Sequence, residues 1–470
     1  MDATFLGENH FLSLPRPDVL TGPQPGAPDT TTLAAHDFDV DTRTGFMPPQ
    51  QPLMRLPEEW APWEDALDSA ISSRLQLGEK PELSDDDRAA SESWRQRVRE
   101  LPILPTTDLK KSEILLRRAH LVLAWIMHFY IHTLPPSSPI RIPAPITVPL
   151  LQVSQQLQLP PVITYSDDVL YNWKFIDGKE RDEYGNDIMP STTNIDAHTL
   201  FTSTRDEAEF YLTSARMELK GVDALDMMRN MMDEMFVGDD IAIRRITTYL
   251  EELSEVVREL GAMLLSVKEV CKPQVFYDDI RPWFRGEDST SGQRWEFEGI
   301  ELDETLTRPM ELSGASAGQS SLVHTLDVFL GVDKYSHSKS SEGPSTQPRS
   351  SFLKRMQEYM PRHHRAFLNH LSNSPRPLRD FILAKSQESP EGEKLLQAYN
   401  TAVQELKVFR DKHMIIVALY IIGPARRKAA GTRDPGAEKE ELKGTGGTGS
   451  RQVLEGRKGP DEGCPLVVKS

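Results

Sequence analysis

An all-α fold is predicted by three observations. Residues 241–270 carry one continuous apolar stripe, Ile246, Leu250, Leu253, Val257, Leu260, Leu264 and Val267, at helical spacing. Residues 402–422 carry a second stripe through Leu406, Phe409, Ile416, Val417 and Tyr420. No series of alternating segments joined by tight turns suggests a sheet. At roughly 100–200 residues per domain, a chain of 470 residues holds two or three units.

The elements follow in order. Residues 1–45 are rich in Pro, Asp and Thr without periodicity, and read as a disordered leader. Residues 46–195 read as a small N-terminal helical domain. Its helical patterning starts near Trp60 and continues through 94–101 and 112–134, before a Pro-rich connector at 135–149. Residues 196–425 read as a large helical domain. Met227, Met228, Met231, Met232 and Met235 fit core packing better than an adaptable binding surface. Residues 334–351 form a low-complexity polar loop. Residues 426–470 turn Gly-, Lys- and Glu-rich and read as a glycine loop with a flexible tail.

Composition narrows the function. The net charge of −17 repels phosphate, which argues against nucleic acid and anionic membranes. Two cysteines, Cys271 and Cys464, build neither a disulfide framework nor a Cys-rich zinc module, and fit a reducing compartment. The start has no basic, apolar signal pattern. The apolar stretches 121–134 and 414–422 fall short of the roughly 20 residues that cross a bilayer.

Six features bear on chemistry. GTGGTG at 444–449 matches G-x-G-x-x-G, but a charged stretch precedes it where a dinucleotide site needs a strand. A glycine loop able to close over a ligand fits better. GASAGQSS at 314–321 precedes an apolar helix, and its small side chains let backbone approach a flat ligand or simply make a tight helix entry. His413 lies on the second apolar stripe, where a buried imidazole needs a polar partner or a metal. With no Cys or acid ligand nearby, a haem axial ligand suits it better than zinc. His128 and His132 are one helical turn apart, a spacing that serves packing unless a third ligand exists. His363, His364 and His370 sit on an amphipathic helix and read as surface groups. Phe276, Tyr277 and Arg281 join an aromatic pair to a guanidinium one turn on. They suit an apolar slot with a carboxylate clamp, or an aromatic core with Arg281 bridged to Asp278 or Asp279.

Taken together, LPPVITYSDDVLYNW (159–173), FYDDIRPWFRG (276–286), SAGQSS (316–321), LDVFLG (326–331), YMPRHHRAFL (359–368), FRDKHMIIVALYIIGPA (409–425) and KGTGGT (443–448) resemble the indoleamine 2,3-dioxygenase family, most of all its fungal forms. The resemblance covers about 45–450. It implies a small helical domain on a large helical haem-binding domain, with haem b as cofactor and His413 as the proximal iron ligand. Arg410 resembles the arginine that pairs with an aspartate on a neighbouring helix, here Asp327. Ser316 and Ala317 resemble the residues against the distal face of the haem, where Ser214 is a weak polar group. Tyr165, Phe210, Ser214, Phe276 and Arg281 match the substrate pocket, with Arg281 on the substrate carboxylate and the two phenylalanines on the indole; Ser214 and Ala317 are the expected catalytic residues. Asp168 stands where a small or apolar residue is more usual. Thr445 resembles the loop residue over the amino-acid end.

The implied reaction converts L-tryptophan and dioxygen to N-formylkynurenine, the first step of the kynurenine pathway toward NAD. Ferrous haem with one neutral imidazole leaves a position open for dioxygen, and the protein's task is then mainly positioning. The expected enzyme is a cytoplasmic monomer that binds neither nucleic acid nor membrane. The alternatives are a haem-binding or gas-sensing protein of the same fold with little turnover, and a helical scaffold without haem.

Overall fold

The computed structural model describes residues 38–289, 293–332 and 354–432. The fold is all-α. Among the described residues, strands are confined to two minimal pairs: β1 (Arg141–Ile142) lies parallel to β4 (Glu296–Phe297), and β2 (Trp173–Phe175) antiparallel to β3 (Ile195–Ala197).

The N-terminal helices are α1 (Ala61–Ser72), α2 (Asp85–Arg99), α3 (Glu113–His132) and α4 (Ala144–Leu157). Ser84 and Ser112 cap α2 and α3, each accepting from a backbone N–H three residues on. α3 has 20 residues, longer than its apolar stretch suggests and long enough to cross a bilayer. It is nevertheless the centre of the packing: Val122, Leu123, Ala124, Trp125, Ile126 and Met127 are all 0 % exposed. The Pro-rich connector is also shorter than the sequence suggests, because α4 begins at Ala144 with Pro145 in its first turn. A proline there removes only an N–H that would lack a helical partner anyway. Pro149 is tolerated further in, on a helix held by burial of Ile146, Leu150 and Val153.

The C-terminal half is built on three long helices. α5 (Arg205–Val237) and α6 (Asp240–Val270) form a hairpin across Gly238, which takes the left-handed φ of 67° that a residue with a Cβ rarely adopts. α10 (Pro390–Val417) packs along α6. The predicted stripe of α6 is the packed face: Ile246, Leu250, Leu253, Val257 and Leu260 are all 0–1 % exposed. Burying each such side chain contributes about 1.5–3 kcal/mol before entropy is counted. Met228, Met231 and Met235 lie in this core, as expected. Shorter helices α7 (Ser321–Phe329), α8 (Arg362–Ser372) and α9 (Leu378–Lys385) close the bundle, and α11 (Gly423–Thr432) follows α10 after a π-turn at Ala418–Ile422.

Two terminal expectations change. Chain order begins before residue 46: Asp41 bridges Gly45, and Thr44 and Gly45 are buried. Phe38 and Phe46 stack edge-on against Phe367 of α8, at 5.8 and 5.6 Å. That apolar contact anchors a stretch whose composition alone reads as unstructured. At the other end, helix continues to Thr432. The polar loop 334–351 and the glycine loop lie outside the described residues.

His364 is a further correction. It is fully buried rather than on the surface, with Nδ1 at 3.0 Å from the Ser321 hydroxyl and the Phe46 ring 4.8 Å away. The amphipathic pattern of α8 does not reveal that the N-terminal segment covers its other side. Burial drives this imidazole's pKa down to about 4, so the ring is neutral.

Candidate functional site

α5, α6, α7, α10 and two loop segments converge. α5 presents Glu207, Tyr211, Ser214 and Glu218 at successive helical turns, hence on one face. Against this face lies the segment after α4, where Tyr165 precedes a π-turn at Ser166–Leu170. The Tyr165 hydroxyl donates to Glu218 at 2.9 Å. The Tyr165 N–H donates to Gln319 Oε1 at 2.8 Å, and Ser320 donates to the same Glu218 oxygen at 2.7 Å. Gln319 also donates to the Gly314 carbonyl at 3.0 Å. Glu218 and Gln319 therefore tie the Tyr165 segment, α5 and the 314–320 loop into one unit. Burial raises the Glu218 carboxyl to about 7, against two hydroxyl hydrogen bonds that favour its charged form.

Glycines set the loop's depth. A Cβ on Gly314 would lie 1.7 Å from the Phe284 carbonyl oxygen, and one on Gly286 would lie 2.3 Å from the Leu312 oxygen. Only bare backbone allows the 312–314 chain to cross the 284–286 chain so closely. Ser316 then caps the turn Ala317–Gln319, accepting from the Gly318 N–H. Ser316 is half-buried and Ala317 is exposed.

The aromatic wall comes from the short segment after α6. Phe276 opens a π-turn, Phe276–Ile280, and its ring lies 4.5 Å from that of Phe210 on α5. Phe276 also meets Tyr420 edge-on at 5.6 Å, in the π-turn that ends α10. Three π-turns thus border one region, a conformation common at functional sites. Arg281 follows in the next turn, 3 % exposed, with its guanidinium 5.3 Å from the Tyr277 ring. Asp278 accepts from Gln274, and Asp279 pairs with Lys80 at 2.8 Å. The segment's backbone is held from α3: His128 Nδ1 donates to the Trp283 carbonyl at 2.7 Å and His132 Nε2 to the Arg285 carbonyl at 3.1 Å. His128 Nε2 accepts from the Ile163 N–H at 3.3 Å. Both imidazoles serve packing, and burial lowers their pKa values, to about 4 for His128.

His413 sits on α10, whose helix starts twelve residues earlier than the sequence stripe suggests, at Pro390. The ring is half-buried and makes no hydrogen bond among the described residues. Burial alone pushes its pKa down, which keeps the nitrogen lone pair available to a metal. Arg410, one turn earlier, forms an ion pair with Asp327 of α7, which follows directly on the 314–320 loop. That pair fixes the His413 helix relative to the loop. α6 faces α10 through Gly261, where a Cβ would press on the Lys412 side chain. Among the described residues no cluster of His, Cys, Asp or Glu could hold a metal ion, so a metal at His413 would take its other ligands from outside the described residues. A flat cofactor that brings four nitrogens fits this donor set: one imidazole without a hydrogen bond among the described residues, with small residues Ser214, Ser316 and Ala317 on adjoining elements.

The structure thus brings Tyr165, Phe210, Ser214, Phe276, Arg281, Ser316, Ala317, Asp327, Arg410 and His413 onto adjoining elements. Thr445 lies outside the described residues. Glu218 and Gln319 escape sequence reasoning. An acid in a long helix reads as solvent-facing, although its spacing of four from Ser214 offers a signal.

A family model described as indoleamine 2,3-dioxygenase matches residues 34–458. The chain is 31 % identical over 407 residues to indoleamine 2,3-dioxygenase of Saccharomyces cerevisiae, covering 85 % of this chain and 82 % of that one. It is 31 % identical over 423 residues to an indoleamine 2,3-dioxygenase of Aspergillus candidus, covering 89 % and 94 %. It is 27 % identical over 434 residues to a 6-hydroxytryptophan 2,3-dioxygenase of Fusarium equiseti, covering 91 % and 96 %. By family model and by relatives matched over most of their length, the chain belongs to the indoleamine 2,3-dioxygenase family.

Proposed function

We propose that this dioxygenase binds haem b through His413 and opens the indole 2,3-bond of L-tryptophan to give N-formylkynurenine, using dioxygen. The observation that carries the reading is the His413 imidazole, neutral and without a partner among the described residues, on a helix locked to the 314–320 loop by Arg410 and Asp327. When bound at His413, the haem would supply the iron redox chemistry that dioxygen requires.

The chain's own residues bind and orient. Phe210 and Phe276, with ring centroids 4.5 Å apart, offer aromatic surface to an indole. Arg281 supplies a guanidinium for the amino-acid carboxylate, on the turn that follows the one carrying Phe276. Ser214 is a short hydroxyl on the α5 face that also carries Glu207, Tyr211 and Glu218, so the apolar surface is that of Phe210 and Phe276. Those two rings exclude water from the indole's side of the site. Tyr165 is held by its bond to Glu218 and shapes the pocket's side. The working unit in this reading is a single chain in the cytoplasm, and its acidity disfavours nucleic acid and membrane partners.

The test is reconstitution. The wild type is expected to take up haem with a Soret band and, given reductant, oxygen and L-tryptophan, to release N-formylkynurenine. His413→Ala is expected to lose the band. An identical spectrum in the variant would overturn the ligand assignment, and haem uptake without product would favour a gas-sensing role.

A further inference from the structure

His120 lies within α3 and is 0 % exposed. Its two ring nitrogens both face acceptors. Nδ1 is 2.8 Å from Asp167 Oδ1, and Nε2 is 3.0 Å from the Pro160 carbonyl oxygen. A carbonyl cannot donate, so Nε2 carries a proton, and the carboxylate at Nδ1 takes a second. The ring is thus an imidazolium paired with a buried carboxylate. Burial opposes that charge, but the charge and hydrogen bond of Asp167 and the Pro160 carbonyl outweigh it and hold the imidazole above its ordinary value.

Pro160 and Asp167 flank the stretch that carries Tyr165, so one ring grips both ends of it. Asp167 extends the grip inward. Its Oδ2 accepts from the Thr164 N–H and hydroxyl, both at 2.8 Å, and its own N–H donates to the Thr164 carbonyl at 2.9 Å. Thr164 directly precedes Tyr165. Other charges nearby are engaged elsewhere. α4 carries none. Glu64 of α1 pairs with Arg118 at 2.6 Å, and Arg117, one turn before His120, pairs with Asp39 and Glu113, each at 2.7 Å. Tyr171 donates to Asp39, and Glu207 of α5 accepts from the Phe201 and Thr202 N–H groups. His128, two turns further along α3, is held neutral by burial against the 276–286 segment. Asp168 adjoins Asp167, and burial raises its carboxyl well above the usual range. Asp167 is therefore the one countercharge in contact with the ring among the described residues.

We propose that His120 is a positioning residue for the substrate: its charged pair with Asp167 holds the Tyr165 stretch against the pocket, and loss of the ring's second proton weakens substrate binding. This rests on the tryptophan-type activity and the Tyr165 pocket inferred above. When the ring loses a proton, one of its two acceptors meets a lone pair instead of an N–H, and one end of the stretch is released. Tyr165 then keeps its bonds to Gln319 and Glu218 but loses the support behind Thr164. The His413 helix has no part in this link, so haem binding is left alone.

The test is the pH profile of kcat and KM for L-tryptophan between pH 6 and pH 10 in haem-loaded wild type, His120→Gln and Asp167→Asn. The substrate's ammonium group and the haem titrate alike in all three, so the comparison reads His120. Wild-type KM is expected to rise about three- to tenfold more across the range than that of His120→Gln, with kcat and the Soret band unchanged. In Asp167→Asn the imidazolium lacks its countercharge, so the same rise should come at least about one pH unit lower. Equal profiles in the three proteins overturn the positioning role and leave the activity standing. Urea unfolding of the same preparations reads the pair without turnover. A raised imidazole stabilises fully below its unfolded value of 6.5 and loses that contribution as pH rises through its folded value. The wild-type advantage over His120→Gln in urea midpoint should therefore shrink as pH rises, and a constant advantage overturns the ion pair itself. Wild type that turns over no tryptophan overturns the activity and the positioning role together, whatever the urea result.

Discussion

Replacing Glu218 by Gln should make the protein more stable at high pH and leave it little changed at low pH. The carboxyl lies in the core at 2 % exposure, with one oxygen accepting from Tyr165 and Ser320 and the other, Oε2, unpartnered among the described residues. Burial raises its pKa from 4.5 to about 7 in the folded state. A raised acid keeps its proton in the fold after the unfolded chain has lost it. The stability it permits is thus complete below pH 4.5 and declines as pH rises to about 7. At about 1.4 kcal/mol per pH decade, the decline amounts to about 3 kcal/mol by pH 8. The Gln carbonyl still accepts both hydroxyls, and its amide fills the place of Oε2 without charge. Urea unfolding of wild type and Glu218→Gln side by side at pH 5 and pH 8 reads the effect, because every other titration cancels in the difference. The variant is expected to gain about 2–3 kcal/mol on the wild type between the two pH values. A difference that stays constant would refute the argument that this carboxyl is buried with its charge unmatched.

Other perturbations probe the same framework. Gly314→Ala places a Cβ 1.7 Å from the Phe284 oxygen, so the crossing chains must separate by more than an ångström. A loss of about 3–5 kcal/mol in unfolding and weak haem uptake are expected, and wild-type stability would contradict the close crossing. Arg410→Leu leaves Asp327, whose side chain is 7 % exposed, without its cation. It should cost about 1–3 kcal/mol and speed haem loss on dialysis, with Arg410→Lys intermediate; unchanged haem retention would show that the pair does not position His413.

How much is legible in the sequence depends on the kind of signal. Helical periodicity exposes α6 and the end of α10, because an apolar stripe must be buried wherever the helix lies. His413 stands out for the same reason: a polar ring on that stripe demands an explanation. The start of α4 is hidden because prolines read as breakers, although Pro145 falls where helices accept them. His364 and the segment from Phe38 are hidden by distance, since each is buried by the other and neither shows an apolar pattern alone. Glu218 and Gln319 join segments more than fifty residues apart. No local pattern encodes such a link, and a glutamate in a helix usually faces water.

The two histidines of α3 carry an implication for how this protein could change over time. His128 and His132 hold the backbone just after Arg281, reaching across more than 150 positions of sequence. The N-terminal helices therefore do not form an interchangeable module. A chimera joining residues before 195 from one relative to the rest from another inherits a latch and a catch that evolved apart. Unless both sides match, two carbonyls just after Arg281 lose their donors. Recombination within such a family should then succeed at crossover points that keep α3 and the 276–286 segment from the same parent.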